Sequence, residues 1–404
     1  MIEQHAEPML LPTPFHSRQR SHNLLHAWGG WNGYIQPGAF DDVELEYFAI
    51  RSTTGVFDLS PMNKYRITGA DAEAFLNRLL TRDVSKIAEG RVGYSVWCDS
   101  AGQVMDDGTL FHLGANDYRL CSYTRAFEWL YWSTLGFDVT VVDETADIAA
   151  LAVQGPTSCT VLQAMGVNEL EQLKPFGILE SDFNGAPLMV SRTGFTGDLG
   201  YEVWVPAAQA EALWDALVEA GAPYLIKPIG TEALEIARIE TGFLQAGVDF
   251  VPAETAVRRG CTRSPFELGL GWLVDFDKPV FNGRQALLEE RERGSRYRFA
   301  LLDVEGNKPA NHSFVLQHDR VVGTVTSAAW CPTAKTNLAF AQLELPADDP
   351  LDHLVAEIYY ERELRWNKVM APCTVLQAMG VNELEQLKPF GILESDFNGA
   401  PLMV

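Results

Sequence analysis

Glu202 stands in Arg192-Thr-Gly-Phe-Thr-Gly-Asp-Leu-Gly-Tyr-Glu-Val-Trp204, where glycine-containing turns lead into the alternating run Tyr201–Val205. That run reads as a strand, so Glu202 sits just past a tight bend, on a rigid element, among bulky apolar neighbours. A carboxylate there is costly unless it meets a donor pair. A guanidinium supplies such a pair, and so do the ring N–H and exocyclic amine of a 2-amino-4-oxo pteridine. The plain alternative, which the motif alone favours, is an exposed strand Glu beside a turn.

A second pair of acids lies upstream. Tyr94–His112 reads as a β-hairpin turning at Asp99-Ser-Ala-Gly102, with Asp106 and Asp107 inside the return strand. Asp is disfavoured there, and adjacent strand residues face opposite sides. One acid can therefore be solvated while the other enters a cavity. His112 is five residues beyond Asp107, an odd offset that puts it on the opposite face.

The elements that must carry these acids follow from the wider pattern. At 404 residues and 47% hydrophobic content, the chain has enough apolar sequence for two or three domains. An arm spans 1–50. A first α+β lobe, 51–155, holds a strand at 64–68, a helix over Asp71–Leu80 capped by Asp71, the hairpin, and a helix near 124–135. A second α+β lobe, 156–290, repeats the grammar, with helices at 157–165, 207–219 and 230–242. Residues 297–372 alternate as an all-β barrel. The expected class is α+β: two related lobes plus a C-terminal β-barrel around a central channel.

Fifty-four acids against 31 bases give a net charge of −23, which disfavours nucleic acid as a partner. No apolar run reaches membrane-spanning length and the start lacks a signal pattern, so a cytoplasmic protein is expected. The six cysteines show no metal or redox spacing, and His16, His22 and His26 lack the spacing of a metal pair; no metal is expected. Gly269-Leu-Gly-Trp272 lacks the third glycine of a dinucleotide fingerprint, so neither flavin nor NAD is expected.

Seven segments in order then carry a resemblance: Gly55–Met62, Leu79–Asp83, Gly102–Asp107, Leu151–Pro156, Arg192–Trp204, Arg238–Gly242 and Gly323–Ser327. Together they resemble the folate-dependent aminomethyltransferase superfamily, which includes the glycine cleavage T-protein and folate-dependent demethylases of dimethylsulfoniopropionate and methoxylated aromatics. The resemblance implies tetrahydrofolate as cosubstrate, Glu202 as the acid holding the pterin, and Asp107 as the catalytic acid near the reactive nitrogens. Tyr201, Ser122 and Arg238 are carried along as further folate-site candidates. Folate's own carboxylates call for a local basic pocket, for which Arg238, Arg284 and Lys278 are candidates, and Arg192 flanks the motif.

Two departures bear on the donor. Leu234 stands where the T-protein has an arginine, and Ser122 where an asparagine is frequent. Both tilt the expectation towards a demethylase-type donor over a T-protein served by a lipoyl carrier protein. Trp28, Trp31, Tyr34 and Trp97 could box a methylated onium substrate by cation–π attraction, although packing is the favoured fate of such aromatics. A non-catalytic folate-binding accessory protein is the reading from another class.

Residues 373–404 repeat 159–190 without a difference. Two identical copies so far apart are not a repeat architecture. The second copy has no continuation, so this tail is expected to be poorly packed or disordered.

Overall fold

A computed structural model describes residues 10–258, 260–344, 346, 349–379, 394–397 and 400–403. The arm forms helix α1 (His16–His22), hairpin β1 (Ala27–Trp31) and β2 (Tyr34–Ala39), and helix α2 (Val43–Ser52). Helix α2 starts where the Asp42 carboxylate accepts the amides of Glu44 and Leu45. Strand β3 (Gly55–Asp58) follows.

The first sheet runs from β4 (Asn63–Thr68) through helix α3 (Ala72–Leu79), β5 (Arg91–Cys98), β6 (Val104–Gly114), β7 (Asp117–Ser122) and helix α4 (Phe127–Ser133) to β8 (Thr140–Asp143). Its order is β5-β6-β7-β4-β8, antiparallel throughout. Tyr65, Ile67, Leu110 and Leu120 pack with Phe75, Leu76 and Leu79 of α3 and Leu130 of α4. Asp71 precedes α3 without capping it; its carboxylate accepts the Asp138 amide at 2.8 Å instead.

The second sheet comprises β9 (Ile148–Gln154), β10 (Ile178–Phe183), β11 (Ala186–Ser191), β12 (Gly200–Pro206) and β13 (Lys227–Pro228), with helices α5 (Ser158–Ala164), α6 (Ala210–Gly221) and α7 (Thr231–Thr241). Its order, β10-β11-β12-β9-β3-β13, redraws the boundary expected at 155. Strands β3 and β9 come from the stretch assigned to the first lobe yet pair here. Odd residues of β12, Tyr201, Val203 and Val205, join Leu213, Trp214 and Leu217 of α6. On the opposite face, Trp204 packs in one cluster with Phe111 and Cys121 of the first sheet. The two sheets thus meet face to face.

Helix α8 (Arg284–Arg293) leads into β14 (Arg298–Val304), β15 (Phe314–Gln317), β16 (Arg320–Cys331), β17 (Thr336–Leu343), β18 (Leu354–Arg362) and β19 (Arg365–Met379), a closed barrel ordered β14-β17-β16-β15-β18-β19. The α+β class with a C-terminal barrel is as expected. Among the described residues no helix is long and apolar enough to cross a membrane.

The tail corrects one expectation. Residues 373–379 form the end of β19, pairing from Val304↔Cys373 to Phe299↔Met379, and Cys373 and Val375 pack on the barrel core. The same seven residues at 159–165 lie in α5 and its cap, where Val161 and Leu162 are buried. Cys-Thr-Val-Leu-Gln-Ala-Met carries both periods: alternate residues for a strand, an adjacent apolar pair for a short helix. Barrel closure decides for the strand, because β14 offers it an unpaired edge. Strands β20 (Glu394–Phe397) and β21 (Ala400–Met403) repeat the pairing of β10 and β11, Glu394↔Met403 matching Glu180↔Met189. Positions 380–393, 398, 399 and 404 lie outside the described residues.

Candidate functional site

Strand alternation settles where the two acids look. Asp107 shares its β6 face with Phe111, and Glu202 shares its β12 face with Trp204. The Phe111 and Trp204 rings meet edge to face with centroids 5.2 Å apart. Both acids therefore open on the layer between the sheets. Glu202 Oε2 accepts from Thr193 Oγ1 at 2.7 Å and Ser191 Oγ at 3.4 Å; Asp107 Oδ2 accepts from Tyr94 Oη at 2.6 Å. The second oxygen of each accepts no side-chain donor among the described residues, leaving a carboxylate edge for a ligand.

Burial pushes the Glu202 carboxyl up to about 7, against the pull of Thr193, Ser191 and the Lys64 ammonium. Asp107 is raised by burial and by the nearby Asp249, with the Tyr94 hydroxyl opposing. Asp106 turns to the other face, where it accepts from the amide and hydroxyl of Thr124 and from the Asp107 amide at 2.9 Å. It too is raised, by burial and then by Asp107. Asp106 is held by Thr124, just beyond β7, while Asp107, held by Tyr94, faces the layer between the sheets.

The loop before Glu202 is pinned by Gln154, at the end of β9. Its amide Nε2 donates to the carbonyls of Thr193 and Tyr201 at 3.3 and 3.1 Å, and Oε1 accepts from Thr196 at 2.9 Å. A Cβ on Gly194 or Gly200 would collide with that amide. Two of the sequence motifs are thus one device, in which glycines admit the glutamine that fixes the bend.

Several expected site residues go elsewhere. Tyr201 turns to the helix-covered core beside Cys159. Ser122 shares its β7 face with Leu120 and Tyr118, away from the layer, and donates to the Thr124 carbonyl at 2.7 Å. Arg238 is wholly buried, and its N–H groups are taken by Glu235, Asp249, the Phe243 carbonyl and Ser327. It ties α7 to the barrel and has no donor left for a ligand. Arg192, Arg284 and Lys278 likewise bind backbone carbonyls.

The aromatic box is dispersed. Trp97 is fully buried in the first-lobe core, and Trp28 lies against His16 at 5.0 Å. Tyr34 lines a depression of about 270 Å³ with Thr13, Ser60 and Thr145, which neither acid lines. Trp31 alone of the four reaches the layer, stacked on Tyr123 at 5.2 Å, whose hydroxyl accepts from Gln245 at 2.8 Å. His112 stacks on Tyr118 on the far face, as its offset implied. Sequence reasoning missed Lys64, Ser191 and Thr193. Lys64 falls on the β4 face opposite Tyr65 and Ile67, which reads as the wet side of a strand, whereas both sides of this sheet are covered.

Two covered sheets with an acid from each on the shared layer, followed by a barrel, give a multi-lobed protein with a candidate acidic site between its sheets. The chain matches the family model described as the GCVT N-terminal domain over residues 8–278. It is similar to proteins named aminomethyltransferase from Caldanaerobacter subterraneus subsp. tengcongensis, 32% identical over 318 residues (77% of this chain, 83% of the relative), and from Desulforamulus reducens, 30% over 328 (80% and 86%). The glycine cleavage system aminomethyltransferase T from Bartonella henselae has the same fold, with a TM-score of 0.78 at 22% identity over 93% of this chain and 98% of that one. The chain belongs to the folate-dependent aminomethyltransferase (glycine cleavage T-protein) superfamily, as its seven motifs implied. It is an enzyme of that tetrahydrofolate-dependent transferase family.

Proposed function

We propose that the chain moves the carbon of an aminomethyl group from the sulfur of a lipoyl-type carrier protein to tetrahydrofolate, bridging two folate nitrogens and releasing ammonia and the carrier's free thiol. Relatives that share about a third of its residues over more than four-fifths of their length carry the aminomethyltransferase name. The tilt towards a demethylase rested on Leu234 and Ser122. Leu234 packs into the core between the sheets and Ser122 faces away from it, so neither departure strips a group from beside the two acids. The aromatic box that supported an onium donor is not assembled.

The observation that carries the reading is the pair of acids facing one layer, each with an uncommitted oxygen. Tetrahydrofolate supplies the nitrogen nucleophile that receives the one-carbon unit. Glu202, ionised, accepts the donor pair of the pterin edge and fixes its orientation. Asp107, held by Tyr94, places negative charge beside the reacting nitrogen and can take its proton. The barrel and the 243–281 segment exclude water from the Asp107 side through Trp272 and Phe266, which pack in the same cluster as Tyr94. Incubation with tetrahydrofolate and either an aminomethyl-loaded lipoyl carrier or a panel of sulfonium, ammonium and methoxy donors tests the proposal. It predicts 5,10-methylene-tetrahydrofolate from the carrier; 5-methyl product from a small donor would replace it. Folate binding with no turnover from any donor would favour the accessory-protein reading.

A further inference from the structure

Lys64 stands wholly buried between the sheets, on β4 opposite Cys121 of β7. Its ammonium donates to the carbonyls of Ser60 and Met62, at 2.8 Å each, and lies 5.9 Å from the centre of the Trp204 ring. Among the described residues no carboxylate comes within 4 Å of it. A buried cation without a paired acid is costly, and such a cost persists where the charge acts on something further away.

The groups around it narrow what that is. Cys121 and Arg119 of β7 share its face, while Asp58 at the end of β3 and Asp143 of β8, opposite Tyr65 on the sheet's other face, act on it from farther off. Asp58 already accepts from Gln19 and the Ser60 amide; Arg119 is paired with Glu144, and Asp143 with Arg125. The Cys121 thiol stays protonated, pushed up to about 12 by burial. From β12, Glu202 faces the same space two residues before Trp204. Its other neighbours are the hydroxyls of Ser191 and Thr193 and the Cys121 thiol, all uncharged at neutral pH.

We propose that Lys64 is a positioning residue: a fixed cation across the layer that keeps Glu202 ionised at neutral pH, and so able to accept the ligand's donor pair. The proposal rests on Glu202 being the pterin anchor. Burial takes Glu202 up to about 7 and Lys64 down to about 8. The amine therefore still carries its charge over the range in which the acid ionises.

The test uses the full chain with K64M, K64R and E202Q. Methionine fills the stem's space, and K64R keeps the charge as a folded control. Infrared difference spectroscopy across pH, without folate, reads the ionisation of Glu202, the band being assigned by its loss in E202Q. K64M should raise its midpoint by about one pH unit, and K64R should restore it. Folate affinity, read by fluorescence, should fall about fivefold in K64M at pH 7 and recover by pH 9. An unmoved midpoint in K64M, a midpoint that K64R fails to restore, or a loss of affinity equal at all pH values would overturn the proposal. If E202Q binds folate as the wild type does, the pterin-anchor reading falls, while the infrared midpoint still judges whether Lys64 governs Glu202.

Discussion

Replacing Glu202 by glutamine should make the ligand-free protein more stable at neutral pH while removing its grip on folate. The carboxyl moves from its ordinary 4.5 to about 7 on folding. The native state therefore holds this proton over a range where the unfolded chain has lost it. Its stabilising effect is complete below about pH 4.5, declines as pH rises, and is gone above about 7. At 1.36 kcal/mol per pKa unit, the ionised carboxylate costs the native state ~3 kcal/mol at pH 7.5. Glutamine keeps the Thr193 hydrogen bond and removes the charge. Expected is a gain approaching ~3 kcal/mol at pH 7.5 and none at pH 4, read as the variant-minus-wild-type difference in urea unfolding at each pH. Folate should stabilise the wild type and leave the variant unmoved. A difference independent of pH, or a variant less stable at pH 7.5, would refute the placement of this acid in a poorly solvated layer.

Other outcomes follow from the same geometry. D107N should lower turnover by ~100-fold or more while folate affinity changes only a few-fold, since the step loses its proton acceptor and the anchor remains. R238M leaves Asp249 buried and unpaired, and should cost ~3–5 kcal/mol in unfolding experiments without a separate folate defect. Truncation after Met379 should leave the barrel intact, whereas truncation after Pro372 removes the strand that pairs with β14 and should give insoluble or protease-sensitive protein. W97A should cost ~3–5 kcal/mol through a core cavity. W31A should instead chiefly alter the fluorescence change on folate binding.

What the sequence disclosed was mostly local. The period-two pattern placed Asp106 and Asp107 on opposite faces and His112 opposite Asp107, and the glycines announced the bend before Glu202. The helices at 72–79, 158–164 and 231–241 fell within a residue or two of expectation. Long-range pairing was not legible: nothing near Gly55 says that it joins Gln154 in the second sheet. Four residues were misplaced. Tyr201 and Ser122 were carried over by neighbourhood to the motif, but alternation turns both away, a conclusion the strand pattern already contained. Lys64 was invisible because a lysine on the face opposite Tyr65 and Ile67 reads as solvent-facing, and only the docking of the second sheet covers it. Arg238 looked available because its partners Asp249 and Ser327 lie on other elements.

The segment Cys-Thr-Val-Leu-Gln-Ala-Met exists twice, once coiled in α5 and once extended in β19. Any measurement that cuts the chain into short fragments, such as hydrogen exchange read by mass spectrometry or an antibody against a linear epitope, draws its signal for these residues from both conformations at once. Cleavage must retain flanking sequence, reaching back to Ser158 for one copy or to Pro372 for the other, before the two backbones can be told apart.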